Sequence, residues 1–275
     1  MKNKSIFKKE NNNKDYDKFV KLILSNKKDL KEKLPELIKG KKEIQKGVYV
    51  GSGVLLEPNI FFDTGEGEIV LGENTKVKAN TILRGPLIIG KNCVINSFAE
   101  ISHSQIGDVC KIGGEVEESI IQSYSNKQHY GFLGHSYIGS WVNIGGGTNV
   151  SNLKNTYSNI KVNGVDTSSV FMGCIMGDYC KTAINTSIFC GKVIGESSHL
   201  YGIVSQDVPA FVSYVGPGKM YELPLEIAER IQKTMMKRRG LEFTAKDSEN
   251  FKKLFKETIS DRKKAKAKKG KLSFN

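Results

Sequence analysis

From Leu71 onward an aliphatic residue stands at every sixth position: Leu71, Val77, Leu83, Ile89, Ile95 and Ile101. The register slips by one to Ile106 and resumes at Ile112. It returns at Ile138, Ile144 and Val150, and again over Met176, Thr182, Ile188, Ile194 and Leu200. Neither a 3.6-residue helical period nor simple strand alternation produces strict sixes. Hexad periodicity predicts a parallel β-helix, in which each short strand buries one aliphatic side chain and then turns a corner. No coil buries that face alone, so the coils must stack. Glycine often follows the aliphatic residue (Gly72, Gly90, Gly107, Gly139, Gly177, Gly195), as tight corners favour.

Small residues occupy the position two before the aliphatic one, and Cys93, Cys110, Cys174 and Cys180 fall there. They read as small core residues rather than nucleophiles; Cys190 does not fit the pattern. With five cysteines and no CxxC pair, neither a zinc ribbon nor a disulfide framework is expected. The hexads are interrupted twice. Residues 113–137 fall out of register, and residues 149–172 contain no hexads and leave the prism as a long loop, a usual place for function. The ends are helical in pattern. Residues 14–38 predict one helix. Residues 222–240 predict another between Pro224 and Gly240, the expected start and stop residues, and "TAKDSENFKKLFKETI" (244–259) a third, starting near Thr244 or Asp247. The expected organisation is a Lys-rich segment with one helix (1–46), the β-helix (47–215) with its protruding loop, C-terminal helices (216–260) and a disordered basic tail (261–275). The helices are expected to cover the open ends or sides of the prism, where bare strand edges are a hazard.

Composition changes this picture little. The 28 glycines and 6 prolines among 275 residues suit many tight corners. The net charge of +13 is concentrated at the ends: residues 1–46 and 252–275 each carry +8, leaving the middle at −3. Such charge blocks read as solvated ends, and no stacking platform or groove-reading helix accompanies them, so nucleic acid is not an expected partner. No apolar run approaches the roughly 20 residues of a membrane span. "MKNKSIFKKENNNK" has no apolar signal core, so a cytoplasmic protein is expected.

The candidate chemistry lies in "NKQHYGFLGHSYIGSWVNIGGGTNVSN" (126–152). Counting back by sixes from Ile138 places Phe132 and Asn126 inward and His129 midway, pointing outward. Asn143, one before Ile144, also points outward. A histidine titrates near neutrality and can deprotonate an amine or hydroxyl attacking a thioester. Asn143 and Asn152 can orient an acceptor, and the N–H groups of Gly145–Gly147 can stabilise a developing oxyanion. His103, His135 and His199 read as ordinary surface histidines.

"KQHYGFLGHSYIGSWVNIGGGT" resembles the segment "HxxxLGxxxIGxxVNIGxGT" of the acetyltransferase domain of bifunctional glucosamine-1-phosphate acetyltransferase/N-acetylglucosamine-1-phosphate uridylyltransferase, in its bacteroidete- and archaeal-type branch. "RGPLIIG" (84–90), "SNLKN" (151–155), "GDYCKTAINTSIF" (177–189) and "YELPLEIAERIQKTMMKRRGLEFT" (221–244) extend the likeness over roughly residues 47–260. The resemblance implies a left-handed parallel β-helix, a homotrimer with sites between subunits, and acetyl-CoA as co-substrate with no metal. It implies His129 as catalytic base, and Asn143 and Asn152 as sugar contacts. It places Gly146 near the thioester, with Ala183 and Tyr201 lining the acetyl-CoA groove. The chain departs from the family at Glu117, where bacterial members carry a phosphate-binding lysine, and at Phe132, where they carry tyrosine. Arg84 is the only nearby arginine before the histidine. The residues before the β-helix carry no Gly-rich phosphate-binding loop, so uridylyl transfer is not expected of this sequence.

The reading that follows is an acetyl-CoA-dependent N-acetyltransferase acting on an amino-sugar phosphate or related amino sugar. One alternative is a non-catalytic trimeric partner or regulator of a separate sugar nucleotidyltransferase. Another is a zinc-dependent γ-carbonic-anhydrase-like hydrolase, which needs three converging histidine ligands; His103, His129 and His135 are the available set.

Overall fold

The computed structural model describes residues 14–270 and 272. The hexads wind into a parallel β-helix of about nine turns. Three sheets form the prism faces. Face one stacks strands such as Ile69–Leu71, Leu87–Ile89, Ile120–Ile121 and Ile175–Met176. Face two runs from Leu55–Leu56 to Asn126–Lys127 and continues through Asn143 to Lys181–Thr182, His199–Leu200 and Val212–Tyr214. Face three runs from Phe61–Asp63 through Phe132–Gly134 to Ile203–Val204. The hexad residues Leu71, Val77, Leu83, Ile89, Ile95 and Ile101 are all buried in one core, and Cys93, Cys110, Cys174 and Cys180 lie within it. At each end the parallel ladder gives way to an antiparallel pair, Lys42–Gln45 with Val48–Val50 and Val212–Tyr214 with Met220–Glu222, which covers a strand edge.

The prism is not broken over residues 113–137. The inward positions there are Val116, Ile121, Lys127 and Leu133, not Asn126 and Phe132. The pattern is disguised because three corners are short. Ile95 to Ile101 spans six positions, but the equivalent Ile112 to Val116 spans four. Val116 to Ile121 and Leu133 to Ile138 each span five. A shortened corner shifts every later hexad in the sequence while leaving the spatial ladder intact. The inward position taken by Lys127 also removes the hydrophobic signal there.

Two helices, α1 (Lys14–Leu24) and α2 (Asn26–Leu37), replace the single one expected over 14–38. The break falls at Ser25, whose hydroxyl donates to Asp29 Oδ2 at 2.9 Å. Ile23 of α1 is buried with Ile160, Val162 and Met172 of the 149–172 excursion and with Ile175 and Val193 of face one. The excursion is therefore folded back rather than free, and carries a short hairpin, Lys161–Val162 with Val165–Asp166. At the other end, α3 (Leu225–Lys237) starts after Pro224, and α4 (Ala245–Glu257) opens with a capping box between Thr244 and Asp247. They enclose Phe211, Leu223, Ala228 and Phe251.

The basic tail expected to be disordered from residue 261 is ordered at its start. A short helix α5 (Ile259–Lys264) brings Arg262 to 2% exposure. Its Nε donates to Glu222 Oε2 at 2.8 Å, Nη1 to Thr258 Oγ1 at 2.7 Å and Nη2 to the Phe255 carbonyl at 2.9 Å. The guanidinium also lies 4.0 Å from the Phe255 ring centroid. An arginine with this many partners is a structural anchor, which a count of charges along the sequence does not reveal.

Candidate functional site

His129 sits on the corner between faces two and three and is exposed. The corner is held from inside by Lys127, which is 2% exposed and takes the core position between Ile112 and Ile144. Its Nζ donates to the carbonyls of Gly113 at 2.8 Å and His129 at 3.1 Å. Burial pushes the Lys127 ammonium down to about 8, partly opposed by Glu115. The neighbouring corner at Gly113–Gly114 packs closely beneath His129: a Cβ on Gly113 would stand 2.5 Å from the Gln128 carbonyl oxygen, and one on Gly114 2.9 Å from that of His129.

On the other side of His129 lies the triple glycine. Gly145 and Gly147 serve the backbone: a Cβ on Gly145 would stand 2.6 Å from the Ala183 carbonyl, and Gly147 has φ +72°. Gly146 serves neither purpose. Its bare face is turned to His129, where a Cβ would stand 3.4 Å from the His129 Cβ. The three N–H groups also differ. Gly145 donates to Thr182 Oγ1 at 2.9 Å and Gly147 to the Tyr130 carbonyl at 3.0 Å. The Gly146 N–H has no acceptor among the described residues. One imidazole and one uncommitted backbone donor thus share a corner.

From His129 the surface continues onto face two through Gln128, whose Nε2 stands 3.2 Å from His129 Nε2. Lys111, Asn126, Asn143 and Lys181 project outward from successive coils. With Arg238 and Arg239, just past α3, they line a groove of about 450 Å³. Arg239 Nη2 donates to Asn126 Oδ1 at 2.7 Å. Burial pushes Lys181 down to about 8, and its Nζ donates to the Tyr179 carbonyl at 2.6 Å. Ala183 and Tyr201 follow two positions past Lys181 and His199, which pair in register, so they lie on one row along the prism.

The other expected site residues are elsewhere. Asn152 does not join His129; its Nδ2 lies 3.0 Å from His135 Nδ1. His135 is on the corner between faces three and one, 3.5 Å from Glu118 Oε2 and stacked on Phe171. Burial holds its imidazole below the usual histidine range, with the Glu118 charge opposing. It is therefore not the free surface histidine expected. His103 occupies the same corner two coils earlier, so the three histidines do not converge within one chain. Among the described residues no group of three His, Cys, Asp or Glu could hold a metal ion. Arg84 is on face three, paired with Asp63 at 2.9 Å and Glu100 at 3.3 Å. Glu117 is on the same face, in register with Ser102 and Gly134. The Phe132 ring lies over Gly134. Face three is acidic here: burial, then Glu100 and Glu117, raise the Glu115 carboxyl.

The family described as "Bacterial transferase hexapeptide (six repeats)" matches residues 68–103. The chain contains a hexapeptide-repeat domain. It is 31% identical over 157 residues to a bifunctional sugar-1-phosphate nucleotidylyltransferase/acetyltransferase of Sulfurisphaera tokodaii, covering 52% of this chain and 38% of that protein. It is 29% identical over 139 residues to the bifunctional protein GlmU of a Picosynechococcus species, covering 48% of this chain and 28% of that one. The chain thus spans well under half the length of these relatives. A UDP-N-acetylglucosamine acyltransferase from Francisella novicida superposes with a TM-score of 0.44 at 18% identity, over 81% of this chain and 83% of that chain. No described helix is long and apolar enough to cross a membrane.

Proposed function

We propose that this protein is an acyltransferase moving an acetyl group from acetyl-CoA to the amine of an amino-sugar phosphate or related amino sugar, with His129 as general base. The observation that carries this reading is the pairing of an exposed imidazole with the uncommitted Gly146 N–H on one corner. The acetyltransferase named among the relatives supports it. The amine nitrogen attacks the thioester carbonyl carbon while His129 takes the amine proton. The tetrahedral oxyanion accepts a hydrogen bond from the Gly146 N–H. Collapse breaks the C–S bond, and the imidazolium returns its proton to the departing sulfur. Ala183 and Tyr201 line the row along which the co-substrate lies. Asn143 positions the acceptor, and Asn152 acts on it only from a neighbouring subunit, since its own corner is a different one.

The test is acetyl-CoA incubated with a panel of amino sugars and their phosphates, with free thiol release recorded. Release with at least one acceptor, lowered about 10²–10⁴-fold in His129→Ala, is the expected result. Full release by the variant would refute the base assignment.

A further inference from the structure

The groove on face two is lined by four cationic side chains, Lys111, Lys181, Arg238 and Arg239, and by no carboxylate. None of the four forms an ion pair among the described residues. The other arginine considered for a phosphate, Arg84, is already neutralised by two carboxylates, and its face carries Glu100, Glu115 and Glu117. We infer that the groove formed by Lys111, Arg238 and Arg239 over the Asn126–Asn143 ladder binds a phosphate ester of a substrate. This deepens the acyl-transfer reading and rests on it only for the identity of the substrates.

Three physical features favour a phosphate over a carboxylate or a neutral sugar. Arginine presents planar paired donors that match phosphate oxygens. Arg239 is held by Asn126 Oδ1 through one Nη2 donor, leaving its other N–H groups to a ligand. The amides of Asn126, Asn143 and Gln128 add neutral donors, which fit the three oxygens of a phosphate monoester. One feature opposes an anion: the groove lies at the C-terminal end of α3, which carries roughly half a negative charge. The charges of Lys111, Arg238 and Arg239 at the same place outweigh it. Gln128 touches both the groove and His129, so an anchored phosphate holds its substrate beside the base.

Two substrates could supply that phosphate, the acceptor sugar or the nucleotide end of CoA, and binding measurements separate them without requiring turnover. Calorimetric titration of the full chain with glucosamine-1-phosphate and glucosamine, and with CoA and 3′-dephospho-CoA, is the experiment. In at least one pair the phosphorylated probe should bind about tenfold or more tightly, as one or two charge-assisted contacts dictate. Arg239→Glu and the double change Arg238→Ala/Arg239→Ala should abolish that preference, with an unchanged thermal melt reporting an intact fold. Arg238 is exposed and Arg239 half-buried with its partner on the prism, so the melt is the control that separates loss of the site from loss of the fold. No preference in either pair, or a preference that survives both variants, overturns the inference. A preference lost on mutation while thiol release fails with every acceptor would leave the phosphate site standing and refute the acyl-transfer reading instead.

Discussion

His129 and Lys127 are two residues apart and point in opposite directions, one to solvent and one into the prism. The lysine is the less expected of the two, because a core position normally takes an aliphatic side chain. Its two carbonyl acceptors lie on the corners that flank the candidate site, so it acts on His129 as a positioning residue. Lys127→Met should fill the core position, free the His129 carbonyl and lower kcat about tenfold or more, with little change in KM. Its effect on stability depends on pH. Burial holds the folded Lys127 at about 8, against about 10.4 for an unfolded lysine. Between these values the unfolded chain binds more protons, so stability rises as pH rises through that window. For one lysine the rise is at most about 3 kcal/mol. Urea unfolding at pH 7.5 and 9.5 should show a smaller rise in Lys127→Met than in the native protein. Some slope should persist, since burial also holds Lys181 at about 8. An unchanged slope would show that Lys127 does not carry the titration.

Among the elements, the C-terminal helices contribute more than cover for the last coil. Arg262 of α5 ties Glu222, Thr258 and the Phe255 carbonyl together while stacking on the Phe255 ring. Arg262→Ala should cost roughly 2–3 kcal/mol, because it leaves Glu222 without its partner in a mostly buried place. Chemical denaturation measures this, and a loss below about 0.5 kcal/mol, the ordinary surface value, would show that the anchor is dispensable. Thr244→Ala at the start of α4 should cost about 1 kcal/mol, the usual worth of a cap. The same reasoning explains why the 149–172 excursion is ordered: Ile160, Val162 and Met172 are buried against α1, so the loop and the N-terminal helix stabilise each other.

At the scale of the whole molecule, the corner that bears His129 also bears Tyr130 at 71% exposure and Ile184 at 72%. Ile203 and Phe189, at 58% and 49%, extend this apolar surface along face three. Large apolar side chains exposed along one edge mark an association surface. We propose that the chain is a homotrimer, with this edge meeting a neighbouring subunit around a threefold axis. Light scattering at micromolar concentration should give three times the chain mass. Ile184→Asp with Tyr130→Ser should shift the population to monomer. A monomeric native protein would disprove the assembly and leave Asn152 with no route to the His129 site.

The hexads from Leu71 to Ile101 determined the fold by themselves, because a six-residue period admits one way to bury an aliphatic residue per strand. The start of α4 near Thr244 or Asp247 was legible because capping is local chemistry within four residues, and the structure uses both in one capping box. The outward direction of His129 was legible too, even though the residues counted as inward around it were wrong. What the sequence could not show depends on corner length and on contacts distant along the chain. The shortened corner between Leu133 and Ile138 moved the inward register to Leu133 and Lys127, and a register is a property of stacked neighbours rather than of one strand. Asn152 stands as near His135 in the sequence as it does to many other side chains; only the turn at the far corner pairs them. The cationic groove joins Lys111 to Arg239, nearly half the chain's length apart in the sequence, and the tail arginine meets Glu222 only because α5 packs back. Charge counted along the sequence placed Arg262 in a solvated block and left the groove cations inside a middle stretch of slightly negative net charge. Their function as anchors and as a groove was decided by where the tertiary structure brings them.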